Sequence, residues 1–527
     1  MQGMSSSDGY TLEDFLLAAR VPRPAPFARF LKMAFVPRQD QVVGLNRTLA
    51  NMRFGLFDDP GVGKTVQMQA HAMQMVSEGN KVLLLMPPVL LGQFIESLCE
   101  TFTEPHRYFN WHVLNQGPAH RQTLFALWEK QGWPEMLLMS YEMFVLLTRI
   151  PKGGKGRPEM AHILRENYRI VTCDEGHKLC GHDTYLHEQL SWHCGEADEA
   201  MLMIATGTPM PTSPLNAYGI IQLLNPKAYS NFNQFERLHA VYERIRLKEP
   251  RMFGKKKVEF INKLSGFRGQ EQIRQNLYAY GRRVIKEQVL SLKEPTIREV
   301  PVVLGEDHMK LYKRLEKERI LEFQGQIIAG GINDQRLRQA LLRIVTNPEA
   351  FIAPGKMIYN AVLDSVHNLI DSHGNALPMD DGFPNKVILF CNLRPTAAWL
   401  KACFSTFNPI VLNGDTPDKD RARRQFNDDP TCRMLIANPE SAGFGLNFQK
   451  VSRLAIFVEP TSVPGEFKQA MERIYRNGQD GVCEIYILRA SGTIAPRATK
   501  EMLNRTHEIN LVNRDSVVLS TYFKRTA

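Results

Sequence analysis

Short apolar runs of strand length alternate with segments of helical periodicity, and this alternation occurs twice along the chain. In the first half, the apolar runs predict strands at residues 54–57, 82–86, 136–139, 170–173 and 202–205. In the second half, they predict strands at residues 387–391, 410–412, 434–437, 454–458 and 485–488. Continuous apolar strands separated by helices are typical of parallel sheets covered by crossover helices. The sequence therefore predicts an α/β fold with two parallel-sheet lobes in tandem.

The same pattern divides the chain into segments. The two lobes are predicted at residues 36–225 and 381–490, with extensions at 1–35 and 491–527. Residues 226–380 are predicted to form a mostly helical, basic insertion that includes a hinge between the lobes. This organisation agrees with the length prior, because a chain of this size is expected to hold about two to four domains.

Positive charge is concentrated in the insertion. The 527-residue chain has a formal net charge of +10, and residues 239–286 alone hold thirteen Lys or Arg against four Glu. Such a run forms either an ordinary solvated surface or a track for the phosphates of a nucleic acid. The overall charge favours a polyanionic partner, most simply a nucleic acid.

No targeting or membrane segment is predicted. The first residues lack a basic region followed by an apolar core, and no apolar run approaches the roughly 20 residues that span a bilayer. The eight cysteines form no C-x-x-C pair, which favours reduced thiols over a disulfide framework. We therefore expect a cytoplasmic protein that does not contact a membrane. Cysteines and histidines also cluster at 173–194, but their spacing favours ordinary packing over a zinc site.

A glycine-containing loop follows the first predicted strand. Residues 58–65 read D-D-P-G-V-G-K-T and lead into a segment of helical periodicity. Gly61 and Gly63 allow the backbone to approach a polyphosphate closely, Lys64 is placed to reach the β- and γ-phosphates, and Thr65 is placed to bind Mg²⁺. Strand, glycine loop and helix in this order predict a nucleotide-binding site.

An acidic pair follows the fourth predicted strand. The run at 170–173 places Asp174 and Glu175 at the carboxyl end of a buried parallel strand, where ligands of α/β proteins gather. Asp174 is predicted to hold Mg²⁺, and Glu175 to orient or deprotonate the attacking water. Combined with the glycine loop, this pair predicts hydrolysis of a nucleoside triphosphate.

A late segment supplies two arginines. Residues 469–479 read Q-A-M-E-R-I-Y-R-N-G-Q, and a helix there would place Gln469, Arg473 and Arg476 close to one face. The second lobe lacks a phosphate loop of its own. Arginines on such a lobe are what an arginine finger requires, because they can complete a site on the other lobe.

Together, the motifs resemble those of the superfamily-two helicase motors, and specifically of the Swi/Snf family of double-stranded DNA translocases. The matching segments are 58–65 (D-D-P-G-V-G-K-T), 174–177 (D-E-G-H), 206–209 (T-G-T-P), 442–448 (A-G-F-G-L-N-F) and 469–479. The segment 282–290 is similar to the family's hinge into the second lobe. The resemblance implies two RecA-like lobes, ATP and Mg²⁺ as cofactors, and ATP bound in the cleft between the lobes.

The resemblance also implies roles for individual residues. The predicted catalytic residues are Lys64, Asp174, Glu175, Arg473 and Arg476. The predicted nucleotide-binding residues are Arg38, Gln41, Asp59, Gly61, Val62, Gly63, Lys64, Thr65, Val66, Gly445 and Gln469, and Thr65 and Asp174 are the predicted metal ligands. The predicted DNA-binding residues are Pro87, Gln93, Ser140, Tyr141, Thr208, Asn392, Gly414, Asn438 and Ser441.

Several positions depart from the family pattern. Gln39 replaces a proline near the adenine site, and Pro60 replaces a methionine in the phosphate loop. Phe444 replaces a glycine, and Tyr475 a histidine. None of these substitutions removes a group that hydrolysis needs.

The sequence predicts an ATP-dependent motor that translocates on double-stranded DNA and whose hydrolysis is stimulated by that DNA. Alternatives remain open. The motor is instead a strand-separating helicase, or an annealing or fork-remodelling enzyme, acting on forked or single-stranded DNA. It acts on RNA, or the chain is a DNA-binding scaffold without motor activity. The sequence identifies no protein partner.

Overall fold

The computed structural model describes residues 10–18, 29, 31–154, 156–196, 199–253, 256–318, 320–323, 326–330, 334–352, 356–373, 382–442 and 447–513. Two compact units make up the chain. The first lobe comprises Met1–Val289 and Leu511–Arg514, and the second comprises Leu290–Asn510 and Asp515–Ala527. The predicted insertion at 226–380 is thus divided between the two units.

The first lobe is built on an all-parallel sheet. Its strands, and those of one separate hairpin, are β1 (Arg53–Leu56), β2 (Val82–Met86), β3 (Trp111–Leu114), β4 (Met136–Ser140), β5 (Ile170–Asp174), β6 (Met201–Ala205), β7 (Ala240–Phe253), β8 (Lys256–Phe267) and β9 (Gly281–Arg282). The seven-stranded sheet has the order β3-β4-β2-β5-β6-β1-β9, and β7 pairs only with β8. The central strands β2 and β4 are buried along their whole length, as strands covered on both faces must be.

Helices cover this sheet. They are α1 (Leu12–Ala18), α2 (Gln39–Ala50), α3 (Lys64–Ser77), α4 (Pro88–Thr101), α5 (Pro118–Gln131), α6 (Tyr141–Thr148), α7 (Glu159–Asn167), α8 (Tyr185–Cys194), α9 (Ala217–Leu224), α10 (Phe232–His239), α11 (Gln270–Tyr278) and α12 (Lys286–Val289). The helix α3 packs Met68 and Met73 into an apolar core that includes Leu84 of β2. This burial fixes the helix that follows the phosphate loop.

The second lobe is built on another all-parallel sheet. Its strands are β10 (Thr296–Val302), β11 (Ile320–Phe323), β12 (Gln326–Gly330), β13 (Val387–Phe390), β14 (Ile410–Leu412), β15 (Met434–Ala437), β16 (Leu454–Phe457) and β17 (Glu484–Ala490). Six of them form a sheet of order β10-β17-β16-β13-β15-β14, and β11 and β12 form a separate antiparallel pair.

The helices of the second half are α13 (Glu306–Glu318), α14 (Asp334–Thr346), α15 (Ala361–Ser372), α16 (Arg394–Cys403), α17 (Lys419–Asp428), α18 (Pro439–Ala442), α19 (Pro464–Met471) and α20 (Ala495–Asn513). Two apolar clusters lie against the sheet, one including Leu389 and the other Ile388. Neighbouring residues of β13 thus point to opposite faces, and each face has its own core. A search of the described helices finds none long and apolar enough to cross a bilayer.

The predicted α/β fold with two parallel-sheet lobes is confirmed. All ten predicted strands are present, and their ends differ from the predictions by no more than two residues. The three sheet strands that the pattern did not predict, β3, β9 and β10, all lie at sheet edges. Edge strands are covered on fewer sides, so their sequences are less uniformly apolar, as the mixed burial of β10 shows.

The basic part of the insertion is only partly helical. Over the described residues of 226–380, the α-helices hold more residues than the strands do, but β7 and β8 form a long antiparallel hairpin in the basic segment, and the helix α11 follows it. The residues 242–246 read Y-E-R-I-R, where the arginines alternate with other residues at the period of a strand. This alternation is the local signal for the hairpin.

Candidate active site

Three loops of the first lobe meet at one edge of its sheet. They follow β1, β5 and β6, which are adjacent and parallel, so their carboxyl ends lie side by side. The loop after β1 is the glycine loop, the loop after β5 carries Asp174 and Glu175, and the loop after β6 carries Thr206–Pro209. The sheet order therefore brings three motifs together that are far apart in sequence.

The glycine loop depends on two glycines with left-handed backbone. Gly61 has φ of 82° and Gly63 has φ of 95°, a region that L side chains rarely adopt. A Cβ atom on Gly63 would lie 2.2 Å from Nε2 of Gln41, so the site also lacks room for a side chain. The helix α3 begins at Lys64, which places Thr65 in its first turn. Backbone N–H groups at such a helix start favour an anion.

The Lys64 side chain folds over this loop. Its Nζ donates a hydrogen bond to the carbonyl oxygen of Asp58 at 2.7 Å. The ammonium also lies close enough to Asp174 to favour the charged form of that carboxylate. Lys64 is thus placed between the glycine loop and the acidic pair, where a cation that binds phosphate is required.

Asp58 holds the glycine loop in place through its buried side chain. Its carboxylate is fully buried and accepts from Arg282, with Nη2 to Oδ2 at 2.6 Å and Nε to Oδ1 at 3.1 Å. The backbone N–H of Val284 and the amide of Gln67 also donate to it, at 3.0 and 3.2 Å. The sequence analysis did not predict that Arg282 is the partner of Asp58. The two adjacent arginines at 282 and 283 and the two adjacent acids at 58 and 59 were the available signal for this pairing.

Asp59 makes the second half of this link. Arg283 Nη2 lies 3.2 Å from its Oδ1, and the backbone N–H of Lys286 donates to its Oδ2 at 3.3 Å. The predicted nucleotide-binding residue Asp59 is therefore buried against the hinge segment. Together the two acids tie the phosphate loop to the chain that leads toward the second lobe.

The start of α2 also lies against the loop. The carbonyl oxygen of Val62 accepts from Nη2 of Arg38 and from Nε2 of Gln41, the latter at 3.4 Å. Gln41 Oε1 accepts from the backbone N–H of Arg38 at 2.9 Å, and Arg38 Nε lies 2.9 Å from Asp40. The predicted residues Arg38, Gln41 and Val62 are thus brought together. Val66 lies half-buried in the first turn of α3.

The acidic pair sits on a sharp turn at the end of β5. Glu175 has φ of 51°, which is uncommon for a residue other than glycine. Its backbone N–H donates to Asp174 Oδ1 at 2.9 Å, and its Oε2 lies 3.3 Å from Nδ1 of His177. The hydroxyl of Tyr141 donates to the Asp174 carbonyl at 2.6 Å. The Asp174 carboxylate thus contacts the backbone of the turn, whereas the Glu175 carboxylate lies beside the ring of His177.

The Asp174 carboxylate lies where a cation is favourable. Burial, and then the charge of Glu175, raise its pKa to about 7, while the nearby Lys64 ammonium opposes this rise. Mg²⁺ is usually held by one or two carboxylates, a hydroxyl and the substrate's phosphates rather than by a full protein cage. Asp174 with Thr65 fits that pattern. Within the described ranges, no group of three or more His, Cys, Asp or Glu has the geometry of a metal site.

The third motif packs on the glycine loop. A Cβ atom on Gly207 would lie 2.4 Å from Cδ of Pro60, so the two loops touch at a point where only glycine fits. Thr206 is fully buried, and its Oγ1 accepts from the backbone N–H of Thr208 at 3.1 Å. The predicted DNA-binding residue Thr208 is itself 6% exposed.

The other predicted DNA-binding residues of the first lobe follow β2 and β4 at the same sheet edge. Pro87 is buried and precedes α4, and Gln93 lies half-buried on that helix. Ser140 caps α6 by accepting from the backbone N–H of Met143 at 3.1 Å. Ser140 and Tyr141 are both buried, so their described contacts are structural. Their predicted role stays a prediction.

The arginine segment of the second lobe is not a continuous helix. The helix α19 ends at Met471, and the chain continues through turns, so the expected helical face at 469–479 is wrong. The amide of Gln479 holds the turns that follow, because it donates to the carbonyl oxygens of Gln449 and Ser452 at 2.9 and 3.1 Å. Gly478, with φ of 88°, provides the turn that these bonds require.

The turns still bring the two arginines together. Arg473 is buried and its Nε donates to the carbonyl of Gln469 at 3.0 Å. Arg476 donates through Nη1 to Oδ1 of Asn447. Desolvation, and then the like charge of Arg473, lower the pKa of Arg476 to about 10. Two adjacent guanidinium groups of this kind favour an anion.

The second lobe also holds the remaining predicted residues. Asn392 and Asn438 are joined by a bond from Nδ2 of Asn438 to the carbonyl of Asn392 at 3.3 Å. Gly414 is exposed after β14. Gly445 and the side chain of Ser441 lie outside the described residues.

Glu459 is a buried acid that sequence reasoning missed. Its carboxylate accepts from the backbone N–H groups of Asn392 and Leu393 at 2.6 and 2.9 Å, and from the hydroxyl of Thr396 at 2.6 Å. These bonds satisfy the start of α16, so Glu459 fixes the position of Asn392. The available signal was an acid directly after an apolar strand.

The cysteines and histidines at 173–194 pack as separate residues. Cys180 Sγ lies 3.3 Å from the carbonyl of Pro209, and His193 Nε2 lies 2.9 Å from the carbonyl of Tyr168. Burial raises the pKa of the Cys194 thiol to about 11 and lowers the pKa of His193 to about 4. Both groups are therefore neutral near pH 7.

Two family matches cover most of the chain. Residues 39–351 match the SNF2-related domain, and residues 367–478 match the helicase conserved C-terminal domain. The chain belongs to the SNF2-related family of helicase-like ATPases. The predicted family resemblance is confirmed, and membership implies the use of ATP.

Several curated proteins are similar to this SNF2-related chain. TATA-binding protein-associated factor MOT1 of Saccharomyces cerevisiae is 22% identical over 499 residues, which is 83% of this chain and 25% of that protein. A DNA repair and recombination protein RAD54-like of Drosophila persimilis is 23% identical over 501 residues, 86% of this chain and 59% of that protein. DNA annealing helicase and endonuclease ZRANB3 of Mus musculus is 24% identical over 518 residues, 96% of this chain and 42% of that protein. The chain thus spans between a quarter and about three fifths of these relatives.

Proposed function

We propose that this protein hydrolyses ATP to translocate on double-stranded DNA. The observation that carries the proposal is the meeting of Lys64, Asp174 and Glu175 at one edge of the first sheet, in a chain of the SNF2-related family. A phosphate-binding lysine beside a metal-binding acid and a second acid is the set of groups that hydrolysis of a triphosphate requires.

Each residue of this set has a distinct part in the proposed reaction. Lys64 and the N–H groups of the glycine loop bind the β- and γ-phosphates. Thr65 and Asp174 would hold Mg²⁺, which would supply positive charge against the phosphates. Glu175 orients the attacking water and accepts its proton. Arg473 and Arg476 stabilise the transferring phosphoryl group, a role worth about 10³–10⁵ in rate in related reactions.

The proposed polymer substrate is duplex DNA. Two of the relatives carry DNA in their printed names, one as a repair and recombination protein and one as an annealing helicase. The net charge of +10 suits a polyanion. We propose that the grip is mainly on phosphates, so binding depends weakly on base sequence and strongly on salt.

Steady-state ATPase assays with matched ligands test the proposal. Single-stranded DNA, duplex DNA, forked DNA and RNA are compared side by side, and the Lys64→Ala variant gives the background. We expect duplex DNA to stimulate turnover strongly, because DNA is the track. Equal turnover with and without nucleic acid would falsify the proposal, and greater stimulation by RNA would assign a different polymer.

Annealing or fork remodelling is the second candidate. The relative named an annealing helicase aligns with 96% of this chain, so the likeness extends over both lobes. The same hydrolytic residues would serve either activity. The two differ in what happens to the DNA strands.

A further inference from the structure

The hairpin β7–β8 is an exposed two-stranded ribbon. It lies between α10 and α11 of the first lobe, and its strands pair only with each other. The 14 residues of β7 correspond to roughly 45 Å of extended chain at about 3.3 Å per residue. A two-stranded ribbon without a covering layer is only marginally stable in water. A hairpin of this length therefore suggests a surface that receives a partner.

The register of the two strands separates the described side chains into two faces. Residues directly opposite each other in an antiparallel pair lie on the same face. One face, which we call the arginine face, carries the pairs Tyr242–Leu264, Arg244–Asn262 and Arg246–Phe260. The opposite face, which we call the isoleucine face, carries Glu243–Lys263 and Ile245–Ile261.

Both faces are open to solvent. On the arginine face Tyr242 is 45% exposed and Phe260 is 40% exposed. On the isoleucine face Ile245 is 36% exposed and Ile261 is 39% exposed. Exposure is therefore similar on the two faces and does not indicate which of them binds a partner. The distribution of charge does.

Charge distinguishes the two faces. The arginine face presents Arg244 and Arg246 without an acid in its three pairs, whereas on the isoleucine face Lys263 lies opposite Glu243. Over residues 240–267 the sequence holds eight Lys or Arg against three Glu, which is half of the chain's net charge of +10. A polyanion is the partner that this charge fits.

The Arg244 guanidinium is already placed for a phosphate. Its central carbon lies 4.4 Å from the centre of the Phe260 ring. This contact orients the planar guanidinium while leaving its N–H groups available for an anion. Because Arg244 covers a face of Phe260, that ring is less available for stacking on a base. The geometry favours a phosphate contact over stacking on single-stranded bases.

We propose that the arginine face of the β7–β8 hairpin binds the phosphate backbone of the duplex DNA on which the motor acts. This inference rests on the proposed function, because it assigns a further contact for the same substrate. The major groove of B-DNA is wide enough to admit a two-stranded ribbon. The hairpin can therefore reach the phosphates that border this groove. Arg244 and Arg246 each provide one phosphate contact.

The salt dependence of DNA binding tests this contact. Affinity for a mixed-sequence duplex is measured over a range of salt concentrations for the wild type, Arg244→Ala/Arg246→Ala and Lys263→Ala. Each lost phosphate contact lowers the slope of log affinity against log salt by about 0.9. We expect the double variant to lose about 2 from this slope and to bind at least about tenfold more weakly at low salt. Lys263→Ala, on the isoleucine face, should keep nearly the full slope.

The ATPase reaction gives a second, independent measurement. The hairpin residues are outside the hydrolytic site, so the basal rate without DNA should be unchanged, which also shows that the variant is folded. The DNA concentration for half-maximal stimulation should rise in the double variant, while the rate at saturating DNA is kept. A change in the saturated rate alone would contradict a binding role.

The outcomes separate this inference from the function beneath it. If duplex DNA stimulates wild-type ATPase but the double variant binds with the wild-type slope, the hairpin contact is wrong and the motor stands. Equal losses from Lys263→Ala would also overturn the assignment to one face. A loss confined to single-stranded DNA or RNA would reject the duplex as the ligand. If no nucleic acid binds or stimulates the wild type, both proposals fail.

Discussion

At residue 58 a carboxylate stands where many phosphate loops carry a glycine, and this carboxylate pairs with a buried arginine. The buried Asp58 side chain bonds to Arg282 through two nitrogen–oxygen contacts of 2.6 and 3.1 Å. A glycine would leave that guanidinium buried without its counter-charge, at a cost of several kcal/mol. The departure from the common loop pattern is thus a structural requirement of this lobe.

Glu175 owes its position to a strained turn. Its φ of 51° lies in the left-handed region, which residues other than glycine rarely adopt. Such residues persist when the surrounding contacts hold them; here the residue's own N–H donates to Asp174, and its carboxylate lies 3.3 Å from the His177 ring. The two acids therefore have separate environments and separate proposed roles.

Replacing Glu175 by glutamine tests its role in turnover. We expect Glu175→Gln to bind ATP about as well as the wild type, because the phosphate loop is untouched. Turnover should fall by at least about 10²-fold, because the amide cannot accept the proton of the attacking water. Nucleotide binding and DNA-stimulated ATPase rates are the measurements.

The matched control is Glu129→Gln on the exposed side of α5. This substitution removes the same charge far from the sheet edge, so turnover should stay at the wild-type level. An active Glu175→Gln enzyme would remove Glu175 from its proposed role.

At the scale of elements, the hinge segment and the phosphate loop act as one unit. Two acids of the loop, Asp58 and Asp59, bond to Arg282, Arg283 and the backbone of Lys286. The edge strand β9 has only two residues, so few backbone hydrogen bonds join it to β1. The side-chain bonds to Asp58 and Asp59 therefore contribute much of what holds this segment in place. The phosphate loop and the segment 282–286 are therefore joined by two buried ion pairs.

Removing Arg282 tests this link. We expect Arg282→Ala to lower the free energy of unfolding of the first lobe by about 3–5 kcal/mol, because Asp58 would be left charged and buried. The surface variant Arg107→Ala is the control, since Arg107 pairs with Glu104 at 2.8 Å while 63% of its side chain is exposed. Such exposed pairs contribute about 0–1 kcal/mol.

Thermal and denaturant unfolding of both variants provide the measurement. The double variant Asp58→Asn/Arg282→Met should be less destabilised than Arg282→Ala, because it leaves no unpaired charge. If Arg282→Ala were as stable as Arg107→Ala, the buried pair would not be an anchor.

At the scale of the whole molecule, two all-parallel sheets recur along one chain, and the two family matches extend over both halves. The two acids proposed for hydrolysis lie on the first lobe, and the two arginines proposed to assist it lie on the second. Neither lobe alone carries the complete set of proposed groups. The proposed activity therefore belongs to the chain as a whole.

Two displacement assays separate translocation from strand separation. A translocase should displace the third strand of a triplex when ATP is present, because it moves along an intact duplex. It should leave a forked duplex paired. Displacement is followed by gel or by fluorescence, with Glu175→Gln as the inactive control.

Efficient unwinding of the fork would instead support the strand-separating alternative. Re-pairing of complementary strands would support annealing. Each result selects one of the activities that share this hydrolytic site.

The amino-acid sequence determined the two-lobed α/β fold and the order of the motifs. Buried parallel strands are apolar along their length, and this property is local, so β2 or β13 can be located from the chain alone. The edge strand β10 was missed because partial cover leaves it with a mixed sequence, and β9 was missed because it has only two residues. The arginines in 242–246 alternate with other residues at the period of a strand, but the prediction for this segment was based on its positive charge.

Only the tertiary structure decided which distant residues meet. Arg282 and Asp58 are 224 positions apart, and no local pattern states that they pair. The turns after α19 likewise depend on Gln479, whose amide donates to the carbonyl oxygen of Gln449, 30 residues earlier. Periodicity reports the burial of each segment, whereas such contacts depend on how the segments pack.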